Sequence, residues 1–337
     1  MHTRERRHFA SENNRRVLPF EWGAEHIIGR VNGDDPRHLF ADYSRQSVAR
    51  SEEFYALPAI NDYHLDTSNL LTWTSAVRTP TPENNTASAR FFPATKKIED
   101  DGARRAVVLL PQWNAGAESH MELCRIFARL GIAALRLTLP YHEARNEPTL
   151  ERADYLVSPN IGRSLQSMRQ AVLDTRAAVG WLKLRGYERI GIMGTSIGSC
   201  IAFLTFVHEP LLQAGVFNHV SGYVADVVWR GLATRHVRAG IGDAMTLAEL
   251  REAWLPISPL AFTIKLKVVP PRPLRFICAR HDLTFPVDLS QDIIDGVRHS
   301  GHPLDVVWLP CGHYTLGQTP WKHLDGWKIV AFLRRHL

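Results

Sequence analysis

Glu188-Arg-Ile-Gly-Ile-Met-Gly-Thr-Ser-Ile-Gly-Ser-Cys-Ile201 is the stretch from which the rest of the chain can be read. Its first half is a short apolar run, as in a strand buried on both faces. Its second half opens an apolar segment of helical length, from Ile197 to about His208. Between them stands Gly194-Thr195-Ser196-Ile197-Gly198, a G-x-S-x-G pattern. Such a pattern works as a sharp strand-to-helix turn, whose glycines let the two elements approach while the serine is held exposed. The pentapeptide is short enough to arise by chance, and a plain turn with a capping serine is the bland alternative. The strand before it and the helix after it favour the functional reading.

Working outward, the alternation of apolar strands and helices is regular. Ala106–Leu110, Ile132–Leu137, Val216–Val224, Leu274–Cys278 and Leu304–Leu309 read as further strands. His120–Leu130, Ile161–Arg185, Val287–Arg298 and Trp321–Leu337 read as helices. This predicts an α/β fold with a mostly parallel central sheet flanked by helices. Two earlier runs, Asn69–Val77 and Thr86–Ala94, are joined by the Pro/Asn-rich turn Thr79–Asn85 and predict an antiparallel edge; the polar run 98–102 then leads into the parallel part. Residues 227–267 interrupt the rhythm with helical patches and predict a small helical cap over the carboxyl ends of the strands. The expected organisation is an N-terminal extension over residues 1–60, whose role cannot be read, and one domain over 61–337.

A serine hydroxyl needs a base, and among 16 histidines His313 is distinguished by position. Cys311-Gly-His-Tyr-Thr315 follows the last strand, which puts His313 on the same edge of the sheet as Ser196. Asp282 follows strand Leu274–Cys278, where a carboxylate can accept the base's Nδ1–H and fix its tautomer. It could instead cap the helix after Pro286. Asp226 is the runner-up acid, and His281 reads as structural.

Ser196, Asp282 and His313 resemble, in type and order, the nucleophile, acid and histidine of the α/β-hydrolase superfamily, over roughly Asn69–Leu337. The resemblance is to its esterase-like branches. It implies the α/β-hydrolase fold and an acyl-enzyme route from a carboxylic ester, with acyl transfer, thioester or peptide cleavage as alternatives on the same machinery. A non-catalytic binding protein of that fold is the alternative from another class. The oxyanion donors implied are the Ile197 N–H and a group on Pro111-Gln-Trp-Asn-Ala-Gly116. This loop departs from the His-Gly or Gly-rich stretch common there; the Trp113 N–H is the first choice, with Gln112 or Asn114 next. Tyr141 and His142 could line the pocket or merely pack a loop, and Trp229 and Trp254 could serve an acyl site or the core.

Composition bounds the remaining classes. With 337 residues, 45% hydrophobic and 22% charged, the chain can bury a full core. The net charge of +6 is mild and dispersed, apart from Arg4, Arg6, Arg7, Arg15 and Arg16, and no aromatic-interleaved basic stripe points to nucleic acid. No run is long and apolar enough for a transmembrane helix, and the first residues lack the apolar core of a signal peptide. Four scattered cysteines read as reduced thiols, consistent with the cytoplasm. The expected partner is a small-molecule or lipid-like acyl substrate, and the chemistry calls for no metal or organic cofactor.

Overall fold

Arg105–Leu110 (β4) and Ile132–Thr138 (β5) are mostly apolar, and every residue of both strands is buried, Arg105, Arg136 and Thr138 included. Strands covered on both faces must lie inside a sheet with helices on each side. A computed structural model, describing residues 1–28, 35–96 and 102–337, shows that arrangement. Most of the polar run 98–102 lies outside the described residues.

The other strands are His64–Leu65 (β1), Leu70–Thr74 (β2), Thr86–Phe92 (β3), Arg189–Thr195 (β6), Leu212–Asn218 (β7), Leu274–Ala279 (β8) and Leu304–Leu309 (β9). The helices are His2–Ser11 (α1), Pro36–Ala49 (α2), Ser51–Phe54 (α3), Met121–Arg129 (α4), Ile161–Leu184 (α5), Ile197–His208 (α6), Val224–Arg230 (α7), Arg235–Ile241 (α8), Leu247–Ala253 (α9), Val287–Arg298 (α10) and Trp321–His336 (α11). Among the described residues the sheet runs β1-β2-β3-β5-β4-β6-β7-β8-β9. The β1–β2, β2–β3 and β3–β5 pairs are antiparallel, and every later pair is parallel. The chain is therefore α/β, with the antiparallel edge that the two opening runs predict.

Alternate residues of β4 serve opposite cores, as the two-residue period of a strand requires. Ala106, Val108 and Leu110 belong to the core that also holds residues of α5, α6 and α10, while Val107 and Leu109 belong to the one that holds residues of α4 and α11. Because β4, β6, β7, β8 and β9 run parallel, their carboxyl ends share one edge, and the loops leaving that edge build the site.

One strand differs from the sequence reading. Strand β7 is Leu212–Asn218, and the chain leaves the sheet at His219 before α7 starts at Val224. Apolar residues recur through Val216–Val224, and Asn218, His219 and Ser221 among them are buried too, because the chain past the strand stays inside the protein; hydrophobicity alone does not mark the strand's end. The first 60 residues, whose role the sequence leaves unread, are structured in their described part. They hold α1, α2 and α3, and α2 packs against α9 through Ser44, whose hydroxyl donates to Ala253 O at 2.6 Å. Tyr55 OH, beyond α3, donates to Pro256 O at 2.7 Å. The segment between β7 and β8 holds α7, α8, α9 and the 3₁₀ turns Leu255–Ile257 and Pro259–Val268.

Candidate active site

Ser196 stands between β6 and α6 at φ 57° and ψ −125°, a conformation that costs a non-glycine residue energy. Its neighbours explain how the turn closes. A Cβ on Gly194 would lie 2.1 Å from Gly198 O, and one on Gly198 would lie 2.4 Å from Pro111 O. Both glycines are thus dictated by backbone-to-backbone approach, and the second brings the loop after β4 against the start of α6. The Ser196 N–H donates to Asn218 O at 2.8 Å, tying the turn to β7. The Ser199 hydroxyl bridges Ser196 O at 2.6 Å and His219 O at 2.8 Å.

His313, on the loop after β9, has its Nε2 3.0 Å from Ser196 Oγ. Its Nδ1 lies 2.9 Å from Asp282 Oδ2. Asp282 Oδ1 accepts the Thr284 and Phe285 N–H groups, both at 2.7 Å. Asp282 therefore both orders its own turn and receives the histidine, and the sequence alternatives of cap and acid coincide in one side chain. Burial works against charge on Asp282, but His313 and His219 hold its carboxyl well below the usual carboxylate range. Burial likewise opposes charge on His313, yet Asp282 first and then Glu5 raise its pKa above the ordinary 6.5. Phe285 stacks on the His313 ring at 5.2 Å and 13°, fixing its plane. Asp226 lies elsewhere: its carboxylate is held by Arg251, with Nε to Oδ2 at 2.6 Å.

The loop 111–116 is organised by a residue from β5's exit. His142 Nδ1 lies 2.9 Å from Pro140 O, so it carries the proton, and Nε2 accepts the Asn114 N–H at 2.9 Å. Burial pushes His142 down to about 4, which keeps the imidazole neutral and able to accept. Arg136 holds the same loop by donating to Ser119 O and Gly116 O at 2.8 and 2.9 Å. The Asn114 N–H is thereby occupied. The Trp113 and Ile197 N–H groups have no acceptor among the described residues.

No family model matches the chain. Its backbone aligns with the acetyl xylan esterase from Paenibacillus sp. R4 at a TM-score of 0.60 and 13% identity, covering 91% of this chain and 96% of that one. The chain has the α/β-hydrolase fold. An uncomplexed acylaminoacyl peptidase from Pyrococcus horikoshii aligns at 0.58 and 15% identity over 85% of this chain, which spans only 43% of the peptidase. The esterase Pf2001 from Pyrococcus furiosus aligns at 0.54 and 17% identity, covering 82% and 93%. In sequence, the chain is 26% identical over 247 residues to a "Putative carboxymethylenebutenolidase" of Methylorubrum extorquens, covering 70% of this chain and 74% of that protein.

In this α/β-hydrolase fold a cavity of about 860 Å³ opens over Ser196. Trp113, Val227, Val228 and Phe285 supply apolar wall, and Ser11–Arg15 close one side. Three lining residues escaped the sequence reading. His219 puts Nδ1 3.0 Å from Asp282 Oδ2, close but poorly directed for a hydrogen bond, so the contact is chiefly electrostatic. His120 reaches Thr195 Oγ1 at 3.0 Å, and burial pushes it down to about 4. Asp325 is pushed up to about 7 by burial and accepts from Asn218 Nδ2 at 2.8 Å. The position of Asn218-His219, just past a strand beside the serine turn, was the available signal for His219. Ligating atoms of His219, Asp282 and His313 lie within 4.8 Å of one another, and the Nδ1 atoms of both histidines approach the same carboxylate oxygen of Asp282.

Trp254 is wholly buried and donates to Ile161 O, so it belongs to the core. Trp229 is covered by Arg238 at 3.7 Å. His281 packs edge-on against His2. The four cysteines are buried and free, and burial pushes Cys278 and Cys311 up to about 12, so both stay as inert thiols. Among the described residues no helix is long and apolar enough to cross a membrane.

Proposed function

We propose that the protein is a serine hydrolase that cleaves carboxylic esters through an acyl-enzyme intermediate. One observation carries this reading: Ser196 Oγ, His313 and Asp282 form an unbroken chain of contacts at 3.0 and 2.9 Å, at the floor of the cavity. In this chain Asp282 accepts the His313 Nδ1–H, which leaves Nε2 unprotonated and able to take the Ser196 proton as the oxygen attacks an ester carbonyl. The imidazolium that forms is stabilised by the Asp282 carboxylate. It then protonates the departing alcohol, and in the second half-reaction His313 activates water to release the acid.

The developing oxyanion is assigned to the Ile197 and Trp113 N–H groups. The unengaged state of both donors supports this, as does the occupation of the Asn114 N–H by His142. The Val224–Thr234 stretch, which contributes Val227 and Val228 to the cavity, supports reading residues 227–267 as a cap that shapes the acyl or alcohol site of a domain spanning 61–337. The apolar wall suits a small-molecule or lipid-like acyl group. Free, buried thiols favour a reducing compartment such as the cytoplasm.

Pre-steady-state hydrolysis of p-nitrophenyl esters tests the reading. A burst of nitrophenolate stoichiometric with enzyme, absent in Ser196→Ala, is expected. Equal turnover by wild type and Ser196→Ala overturns it.

A further inference from the structure

The His313 loop is held by a residue from the far end of the chain. Glu5, on α1, is fully buried. Its Oε2 accepts the Tyr314 N–H and its Oε1 the Thr315 N–H, both at 2.9 Å. Room for this carboxylate exists because residue 312 is glycine: a Cβ there would lie 2.3 Å from Glu5 Cδ. Among the described residues no Lys or Arg pairs with Glu5. A buried carboxylate satisfied only by backbone N–H groups is an expensive way to fill space, since an apolar side chain would pack there without desolvating a charge. The charge has a counterpart beside it, because the residue preceding Tyr314 is His313.

We propose that Glu5 is a positioning residue for His313: its buried carboxylate clamps the 312–315 turn by two backbone hydrogen bonds and faces the imidazolium formed during the reaction. This rests on the proposed role of His313 as general base. The other groups facing His313 are Asp282 from the turn after β8, His219 from the loop after β7, Ser196, Phe285 and its neighbour Tyr314. Of these, Asp282 is the nearest charge, burial opposes charge on His219, and Glu5 adds a second anion on the backbone side of the loop. The clamp does not depend on Glu5 alone to seat α1. His8 Nε2 meets Gln318 Nε2 at 2.6 Å, and Arg15 donates to Tyr314 OH at 3.1 Å.

Glu5→Gln keeps the shape but removes the charge, and its amide can accept only one of the two N–H groups while its NH₂ opposes the other. NMR titration of the His313 imidazole in the full-length protein, alongside the pH profile of ester kcat/KM, reads both effects. Without the anion, the imidazolium is less stabilised, so the His313 pKa and the acid limb should fall together by about half a pKa unit or more. The loosened turn should lower kcat by about tenfold, with KM little changed. Gly312→Ala, which evicts the carboxylate, should move the His313 pKa in the same direction, and the double variant should move it no further. A His313 that titrates as in wild type in Glu5→Gln overturns the proposal, even if kcat falls. The NMR reading needs no turnover, so the two ideas fail separately. An unmoved His313 beside a reactive Ser196 removes the role of Glu5, while a shifted His313 beside an inert Ser196 leaves the coupling standing and removes the esterase reading.

Discussion

Replacing Asp282 by Asn tests the chain of contacts at its most constrained point. In the native site one carboxylate oxygen takes two backbone N–H groups at 2.7 Å, and the other takes His313 Nδ1 at 2.9 Å. An asparagine has only one acceptor oxygen. The Thr284 and Phe285 N–H groups, fixed in the turn, will claim it, and the NH₂ must then face His313. An NH₂ there needs an acceptor, so the favoured tautomer of His313 places its proton on Nε2, where it opposes the Ser196 hydroxyl. Both functions of the carboxylate are lost, the tautomer and the stabilisation of the imidazolium. Loss of the same partner in other serine triads lowers kcat by ~10⁴-fold, equivalent to ~5.5 kcal/mol on the barrier. The pH dependence has a definite sign. A base must be unprotonated to act, and Asp282 raises the His313 pKa above 6.5, so wild-type kcat/KM should fall as pH drops through that raised value. In Asp282→Asn the acid limb should move to lower pH on a much smaller rate. The assay is p-nitrophenyl ester hydrolysis from pH 5 to 9, with near-ultraviolet circular dichroism to verify the fold. A loss under about tenfold with the fold intact would refute the assigned role.

Two further variants probe the surroundings. His142→Ala removes the acceptor that occupies the Asn114 N–H and should lower kcat by about 10- to 100-fold through a loosened oxyanion loop, with smaller change in KM; ester kinetics would check this. Asp226→Asn should leave turnover within a few-fold of wild type, while weakening the link to Arg251 and lowering stability by about 1–2 kcal/mol in urea unfolding. A ~10⁴-fold rate loss in Asp226→Asn would mean that the acid lies there.

What the sequence made legible follows from the range of the interactions involved. The serine turn carries its signal in five residues: Gly194 is needed because a Cβ there would strike Gly198 O four residues on, while Gly198 makes room for Pro111 O from the loop after β4. Asp282 and His313 could be located because each directly follows a readable apolar strand. His219 follows a strand too, but β7 passes into a buried loop and α7, so its end was hidden and with it the residue beside Asp282. Glu5 was illegible for a different reason. Its hydrogen bonds span 309 and 310 residues of chain, and a single glutamate in a polar, arginine-rich helix looks like any solvated charge. The loop 111–116, proposed to supply an oxyanion donor, lacks the His-Gly or Gly-rich stretch common there. Here the loop is shaped by His142 and Arg136 from β5 and its exit, which pair with backbone groups and leave no local pattern.

The most direct test of an activated nucleophile at Ser196 is labelling with a fluorophosphonate probe, followed by peptide mass mapping of wild type and Ser196→Ala. One adduct per chain on the peptide carrying Ser196, absent from the variant, is the predicted result. Wild type that stays unlabelled, or an adduct on another residue that persists in Ser196→Ala, would contradict the assignment.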